Sequence, residues 1–232
     1  MLFRSVELWW APALVRPEQA GLAQEMRASG VAVTAVSRPV FEKVAYRQSP
    51  DGWLAVAGVP GGPLDAVALP PEALVLVGQG IEKPGNLGAM VRTAEALGVD
   101  AVVAASAVTD FGNPNAVRAS KGTVFAVPLA AGDDGDVLGW ARRRGLQLVV
   151  TSPRGTTTLT DADLTRPTAL VVGAESTGVP QRWLDEADLT VEIPMHGHVN
   201  SLNAATAAAL VLYEARRQRS GSPRSSAVGS GE

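Results

Sequence analysis

No cysteine occurs in the 232 residues. Disulfides, thiolate zinc sites and thiol catalysis are therefore excluded, and a reducing cytoplasm is the expected compartment. Histidine is nearly as scarce, with His196 and His198 the only two. Their spacing puts both on one side of an extended strand, as in some metal sites. Two histidines without cysteine or an evident third ligand read better as loop residues, so no metal is expected. No apolar run approaches the ~18 residues of a membrane span, and the segment from Met1 has no signal-peptide pattern, so no membrane partner is expected. An excess of positive charge is also missing. With a net charge of −3, the chain has no broad basic surface for gripping nucleic acid. Local clusters remain at Arg142, Arg143 and Arg144 and at Arg216, Arg217 and Arg219, and a solvated helix face explains each equally well. No internal repeat is visible.

What is present is ample core material. Hydrophobic residues make up 46% of the chain, enough for one large domain or two small ones. Residues 1–57 alternate between strand and helix patterns. "VELWWAPAL" reads as a strand, "RPEQAGLAQEMRASG" as a helix with Pro17 early and Gly30 as its stop, and "VAVTAVS" as a strand. "RPVFEKVAYRQ" follows as a short helix and "GWLAVAG" as another strand. A Pro/Gly-rich stretch over 58–72 reads as a linker. Beyond it, "ALVLVGQ", "VDAVVAA", "VFAVPLA", "LQLVV", "TALVVG" and "LTVEIPM" read as strands or extended segments. Between them, "GNLGAMVRTAEALG", "PNAVRASKG" and "DVLGWARRRG" read as helices, and a helix from Ser201 closes the domain. Continuously apolar strands alternating with helices imply an α/β fold, a mostly parallel sheet with helices on both faces. The tail over 219–232 is low-complexity and is expected to be disordered.

In parallel sheets, ligands bind at the carboxyl ends of strands. Three polar, Gly-rich loops follow strands here: Gly78–Arg92, Val171–Pro180 and Ile193–Asn203. The first fails as a phosphate loop. Gly80 and Gly85 have the right spacing, but Asn86 and Leu87 stand where Lys and Ser/Thr belong. It fails as a dinucleotide fingerprint too, because Lys83 replaces the third glycine. A dehydrogenase is therefore a distant reading. In the second loop "GAESTG" is not G-x-S-x-G, which leaves a serine hydrolase little support. In the third, Ser201 is a good helix N-cap, and Asn203 is an alternative cap.

Taken together and in order, the three loops resemble the motifs of the SpoU/TrmH family of RNA 2′-O-methyltransferases, within the SPOUT superfamily. The first is "KPGNLGAMVRTAEALGV", with Asn86, Gly88 and Arg92. The second is "LVVGAESTGVP", with Gly173, Glu175 and Gly178. The third is "IPMHGHVNSLNAATAAALVLYEA", with Pro194, Met195, Gly197, Ser201, Leu202 and Asn203. The intervening "NPNAVRASKGTVFAVPL" is also similar, and the match runs continuously over 73–218.

The resemblance implies a methyltransferase domain over 73–218 with a carboxyl-terminal trefoil knot, which ordinary topology rules would not have suggested. It implies S-adenosyl-L-methionine as cofactor and a homodimer whose active site takes residues from both subunits. Residues 1–57 resemble part of the family's L30-like RNA-binding domain. That domain usually begins with a strand and helix upstream of a segment like "FRSVELWWAPAL", whereas this chain starts at Met1 almost on it. The domain is therefore expected to be abbreviated, or the start codon to be misassigned.

Residue roles follow by the same resemblance. Arg92 is the catalytic arginine, either orienting the ribose hydroxyl and stabilising alkoxide character or acting as a transiently neutral base. A guanidinium stays protonated, which favours the first role. Asn86 is expected near the target nucleotide, with Glu175 holding Arg92 or Asn86 in place. Ser201 and Asn203 face the catalytic loop. The cofactor is expected on Thr151, Gly173, Ala174, Ile193, Met195, Ser201 and Leu202, and RNA phosphates on Arg118, Ser120 and Lys121. Ribosomal RNA is the first expected substrate. The alternatives are a transfer RNA 2′-O-methyltransferase and a catalytically inactive RNA-binding or assembly relative.

Overall fold

The computed structural model describes residues 5–46, 48–197 and 201–220. His198, considered above as a metal-site candidate, lies outside them, as does the tail from 221 onward. The chain forms two compact units, Met1–Val59 and Pro60–Glu232.

The first unit contains β1 (Ser5–Trp10), α1 (Leu22–Ala28), β2 (Ala32–Ala35), α2 (Arg38–Val44) and β3 (Trp53–Ala57). Its three strands lie in the order β2-β1-β3, with β1 parallel to β2 and antiparallel to β3. The single helix expected from Arg16 to Gly30 is instead a 3-10 turn, Pro17–Gln19, followed by α1. Gly21 stands at the break, and glycine is the weakest ordinary helix former. Leu8, Ala11, Ala23 and Phe41 are the buried apolar residues of this small unit. Trp10 and Trp53 stack with ring centroids 5.4 Å apart. Both rings remain half-buried, as does Trp9, because a three-stranded sheet has too little covering structure to enclose them.

The second unit carries seven strands: β4 (Leu74–Gln79), β5 (Ala101–Ala105), β6 (Leu129–Gly132), β7 (Gln147–Thr151), β8 (Thr157–Thr158), β9 (Thr168–Val172) and β10 (Leu189–Glu192). They lie in the order β6-β5-β4-β9-β7-β10-β8, and every pairing is parallel. Its helices are α3 (Pro84–Ala96), α4 (Pro114–Ser120), α5 (Asp134–Arg143), α6 (Gln181–Asp185) and α7 (Ala204–Arg219). Alternate strand residues face opposite sides. Leu74, Leu76, Val102, Val149, Leu170 and Val191 form one core with α3 and α7. Val75, Val77, Val103, Val150 and Val171 form the other with α5 and with Trp183 of α6. This is the double-sided burial that continuously apolar strands require.

Four details depart from the sequence reading. Residues expected as linker pack into this unit: Leu64 and Val67 are buried, and Gly62 bridges to Ala130. "VFAVPLA" is a 3-10 turn, Thr123–Phe125, before β6 rather than one extended run. The last helix starts at Ala204, three residues later than expected. It includes Arg219, which was assigned to the tail. Strands β4 and β9 are neighbours, and only β7 separates β9 from β10, so the loops after β4, β9 and β10 gather along one carboxyl edge.

Candidate active site

The first loop turns at Gly80, whose positive φ of 62° favours glycine, and enters α3 through Pro84 at the helix start. That places Lys83 just ahead of the helix and Asn86 in its first turn. The second loop folds back on itself, with Ala174 bridging to Gly178. A Cβ on Gly173 would lie 2.5 Å from the Gly178 carbonyl carbon, so only glycine permits this closure, and the closed loop presents Glu175. In the third loop Asn203, not Ser201, is the N-cap of α7. Its Oδ1 accepts from the backbone N–H groups of Ala205 at 3.0 Å and Thr206 at 3.4 Å.

The three loops meet at Glu175. Its Oε1 accepts from Asn86 Nδ2 at 2.7 Å, from Asn203 Nδ2, and from the backbone N–H of Ala204 at 3.4 Å. Asn203 Nδ2 also donates to Asn86 Oδ1 at 3.0 Å. Oε2 accepts from Lys83 Nζ at 2.9 Å. The hydrogen bond from Lys83, followed by that from Asn86, holds the Glu175 carboxyl below the usual glutamate value. The same pairing raises the Lys83 ammonium. Glu175 is thus a fixed anion with both oxygens engaged, an organiser rather than a proton acceptor.

Beside this cluster lies a cleft of about 570 Å³. Its walls include all seven residues predicted to hold a cofactor: Thr151, Gly173, Ala174, Ile193, Met195, Ser201 and Leu202. The Thr151 hydroxyl donates to the Val171 carbonyl at 3.0 Å and so serves strand pairing as well as lining the cleft. Ser201 makes no hydrogen bond among the described residues. A smaller recess of about 210 Å³ adjoins, lined by Ile81, Lys83, Asn86, Ala174, Glu175 and Ala204, among others.

Arg92 does not join the cluster. It is exposed on α3 and lines neither cavity. Six residues after Asn86, it lies about 240° around the helix and about 9 Å along it. Of the two partners expected for Glu175, Asn86 is bound and Arg92 is not, and Lys83 takes the second carboxylate oxygen. Arg118 and Lys121 are exposed on α4 and at its end, whereas Ser120 is corrected. It is fully buried, its hydroxyl donates to the Val117 carbonyl at 2.7 Å, and it accepts from the Gly122 N–H at 3.1 Å, so it shapes the helix end and reaches no phosphate. Sequence reasoning missed Lys83, although it directly precedes the Pro-Gly-Asn of the first motif. It also missed Arg154, the one cation among the described residues that line the larger cleft. The readable signal there was a Pro-Arg-Gly turn just past the carboxyl end of β7.

Comparison with known proteins gives a consistent pattern. A 23S rRNA (uridine(2479)-2′-O)-methyltransferase of Streptomyces viridochromogenes is 34% identical over 219 residues, covering 90% of this chain and 72% of the relative. A 23S rRNA (guanosine(2553)-2′-O)-methyltransferase of Bacillus subtilis is 29% identical over 188 residues, covering 81% and 74%. Among solved structures, the SpoU methyltransferase AviRb from Streptomyces viridochromogenes in complex with AdoMet superposes with a TM-score of 0.82 at 31% identity, covering 95% of this chain and 85% of that one. Residues 73–213, which contain all three loops, match the model of the SpoU rRNA Methylase family, and the chain belongs to that family.

Proposed function

We propose that the protein methylates a ribose 2′-hydroxyl of structured RNA, ribosomal RNA first and transfer RNA second, with S-adenosylmethionine as cofactor. One observation carries the reading: the Asn86–Glu175–Asn203 cluster borders a cleft that is the right size for the cofactor. A volume of about 570 Å³ falls within the usual ligand-pocket range of roughly 300–1,000 Å³. Val172, Val191, Ile193 and Leu202 offer apolar walls for an adenine, while Gly173 and Ala174 leave backbone within reach. When bound, the cofactor supplies an electrophilic sulfonium methyl, so no metal is needed to activate it.

The chain's own residues supply position and electrostatics. Asn86, held at both ends of its amide by Glu175 and Asn203, orients the nucleotide. Arg92, exposed in its own protomer, faces the site of the second subunit of a homodimer. There its guanidinium orients the hydroxyl and stabilises alkoxide character while the proton passes to water. The family's trefoil knot and L30-like domain, and a cytoplasmic location, belong to the same reading. Among the described residues no helix is long and apolar enough to cross a membrane. Asn86, Arg92, Glu175, Ser201 and Asn203 are all present, which favours an active enzyme over an inactive relative.

Calorimetry with S-adenosylmethionine, followed by mapping 2′-O-methylation on fractionated RNA from a deletion strain, tests the proposal. Binding together with one missing methyl group in ribosomal RNA is expected. A missing methyl in transfer RNA selects the second substrate. Absence of binding at millimolar cofactor overturns the reading.

A further inference from the structure

Among the described residues, two charged side chains line the larger cleft, Glu175 and Arg154. They differ in what they already hold. Both oxygens of Glu175 accept hydrogen bonds, and Lys83 offsets its charge at 2.9 Å. The Arg154 guanidinium has no ion pair or hydrogen bond among the described residues, and only its backbone N–H is engaged, with the Ser152 hydroxyl at 3.2 Å. The turn that carries it is nevertheless fixed. Ser152 N–H donates to the Val191 carbonyl at 2.9 Å, and Gly155 N–H to the Ser152 carbonyl at 3.1 Å. A Cβ on Gly155 would lie 2.3 Å from the Val191 carbonyl carbon and 2.4 Å from the Glu192 nitrogen, so only glycine lets the turn rest against β10. The Glu192 side chain does not line the cleft. The two charges also come from opposite sides. In the order β4-β9-β7-β10, Glu175 follows β9 and is held by residues after β4, whereas Arg154 follows β7 and its turn is held by β10. A cleft with a satisfied anion toward one side and an unsatisfied cation toward the other suits a ligand with a carboxylate at one end.

We propose that Arg154 binds the carboxylate at the methionyl end of S-adenosylmethionine and thereby sets which way round the cofactor lies in the cleft. The inference rests on the function proposed above and adds to it a contact and an orientation. The cofactor carries one carboxylate, with an ammonium beside it and a sulfonium a few bonds away. Its methyl must meet a ribose beside Asn86, so the sulfonium belongs toward Glu175. There a fixed carboxylate favours the sulfonium and repels the cofactor's own carboxylate, while Arg154 does the reverse. A guanidinium suits this task, because its planar fork can donate two parallel hydrogen bonds to a carboxylate and it stays charged. Arg154 is exposed, which keeps its contribution at the low end for a hydrogen bond between charged groups.

The test crosses two ligands with three full-length proteins. The ligands are S-adenosylmethionine and its decarboxylated analogue, which keeps the adenosine, the sulfonium and the amine. The proteins are the wild type, Arg154→Met and Arg154→Lys. Calorimetry on every pair at two salt concentrations is joined by binding of bulk ribosomal RNA from cells deleted for the gene. The wild type should prefer S-adenosylmethionine over the analogue by about tenfold, and less at high salt. Arg154→Met should lose that preference by weakening S-adenosylmethionine alone. Its unchanged affinity for the analogue then shows that the cleft is intact. Arg154→Lys should recover part of the preference. A preference that is the same in the wild type and Arg154→Met overturns the contact. So does an equal loss of both ligands, which would make Arg154 only a wall of the cleft. Normal cofactor binding with weakened RNA binding overturns it too, and moves the arginine to the RNA. If the wild type binds neither ligand at millimolar concentration, the function reading itself fails, whereas wild-type binding without the change in preference removes only the Arg154 contact.

Discussion

Asn203 joins stability to chemistry in a single side chain. Its carbonyl oxygen caps α7, and its amide nitrogen ties Asn86 to Glu175. Asn203→Ala should cost about 0.5–2 kcal/mol through the lost cap and abolish most methyl transfer. Asn203→Ser separates the two jobs, because serine caps about as well but cannot bridge Asn86 and Glu175. Thermal melting should show stability largely regained, with activity still low. Ser201→Ala should leave the melting temperature nearly unchanged. Equal losses at both positions would contradict the assignment of the cap to Asn203. A second carboxylate, Glu214, sets an acid limit. Hydrogen bonds from Arg217, then Gln218, lower it from 4.5 to about 2. Its folded value lies below its unfolded one. Its stabilising contribution is therefore complete above about pH 4.5 and lost as pH falls toward about 2. Glu214→Gln should cost about 1.5–3 kcal/mol at neutral pH, with the gap from wild type closing across that acid window in a series of urea melts.

At the scale of elements, two glycines of α3 have opposite meanings. A Cβ on Gly88 would sit 2.1 Å from the Ala116 carbonyl oxygen and 2.8 Å from the Ala119 Cβ, so this glycine lets α3 and α4 touch. Gly88→Ala should destabilise by at least about 1–3 kcal/mol through overpacking. It should also impair turnover, because any displacement of α3 moves Asn86. A Cβ on Gly85 meets nothing within 4 Å. Gly85→Ala should be neutral or stabilising by up to about 1 kcal/mol. Chemical denaturation of the pair would decide it, and a stable Gly88→Ala would refute the close approach.

Legibility followed element length. The buried runs of β4, β5, β7 and β9 were readable because continuous Val, Leu and Ala have few other homes. The two-residue β8 and five-residue α6 were not, since neither completes enough of a period to register. The site was legible where motif residues converge, at Asn86, Glu175 and Asn203. Lys83 and Arg154 escaped because nothing local marks which exposed loop cation borders the site. Ser120 misled because a serine at a helix end looks the same from sequence whether it faces solvent or its own backbone.

At the scale of the whole molecule, the expected assembly is a dimer. Leu210 is 41% and Tyr213 63% exposed, one helical turn apart on the same side of α7, and Arg92 lies away from the cluster in its own chain. Light scattering at micromolar concentration should give twice the chain mass. Arg92→Ala and Asn86→Ala should each be nearly inactive alone. Mixed and re-equilibrated, they should recover about a quarter of wild-type activity, since half the dimers then hold one intact composite site. A mixture as inactive as its parents would place Arg92 and Asn86 in the same site of one chain.

Helix α7 follows every strand in chain order, yet the sheet and the site both depend on it. Ala204, Ala208, Val211, Leu212 and Ala215 complete one core. Arg216 reaches back to the Leu97 carbonyl at 2.7 Å, and Arg219 to those of Leu164 at 2.8 Å and Glu72 at 2.9 Å. A nascent chain with α7 still inside the ribosomal exit tunnel has one sheet face bare and Asn86 and Glu175 without Asn203. Completing the core and completing the site are therefore one event, because Asn203 reaches Asn86 and Glu175 only once the helix it caps has docked.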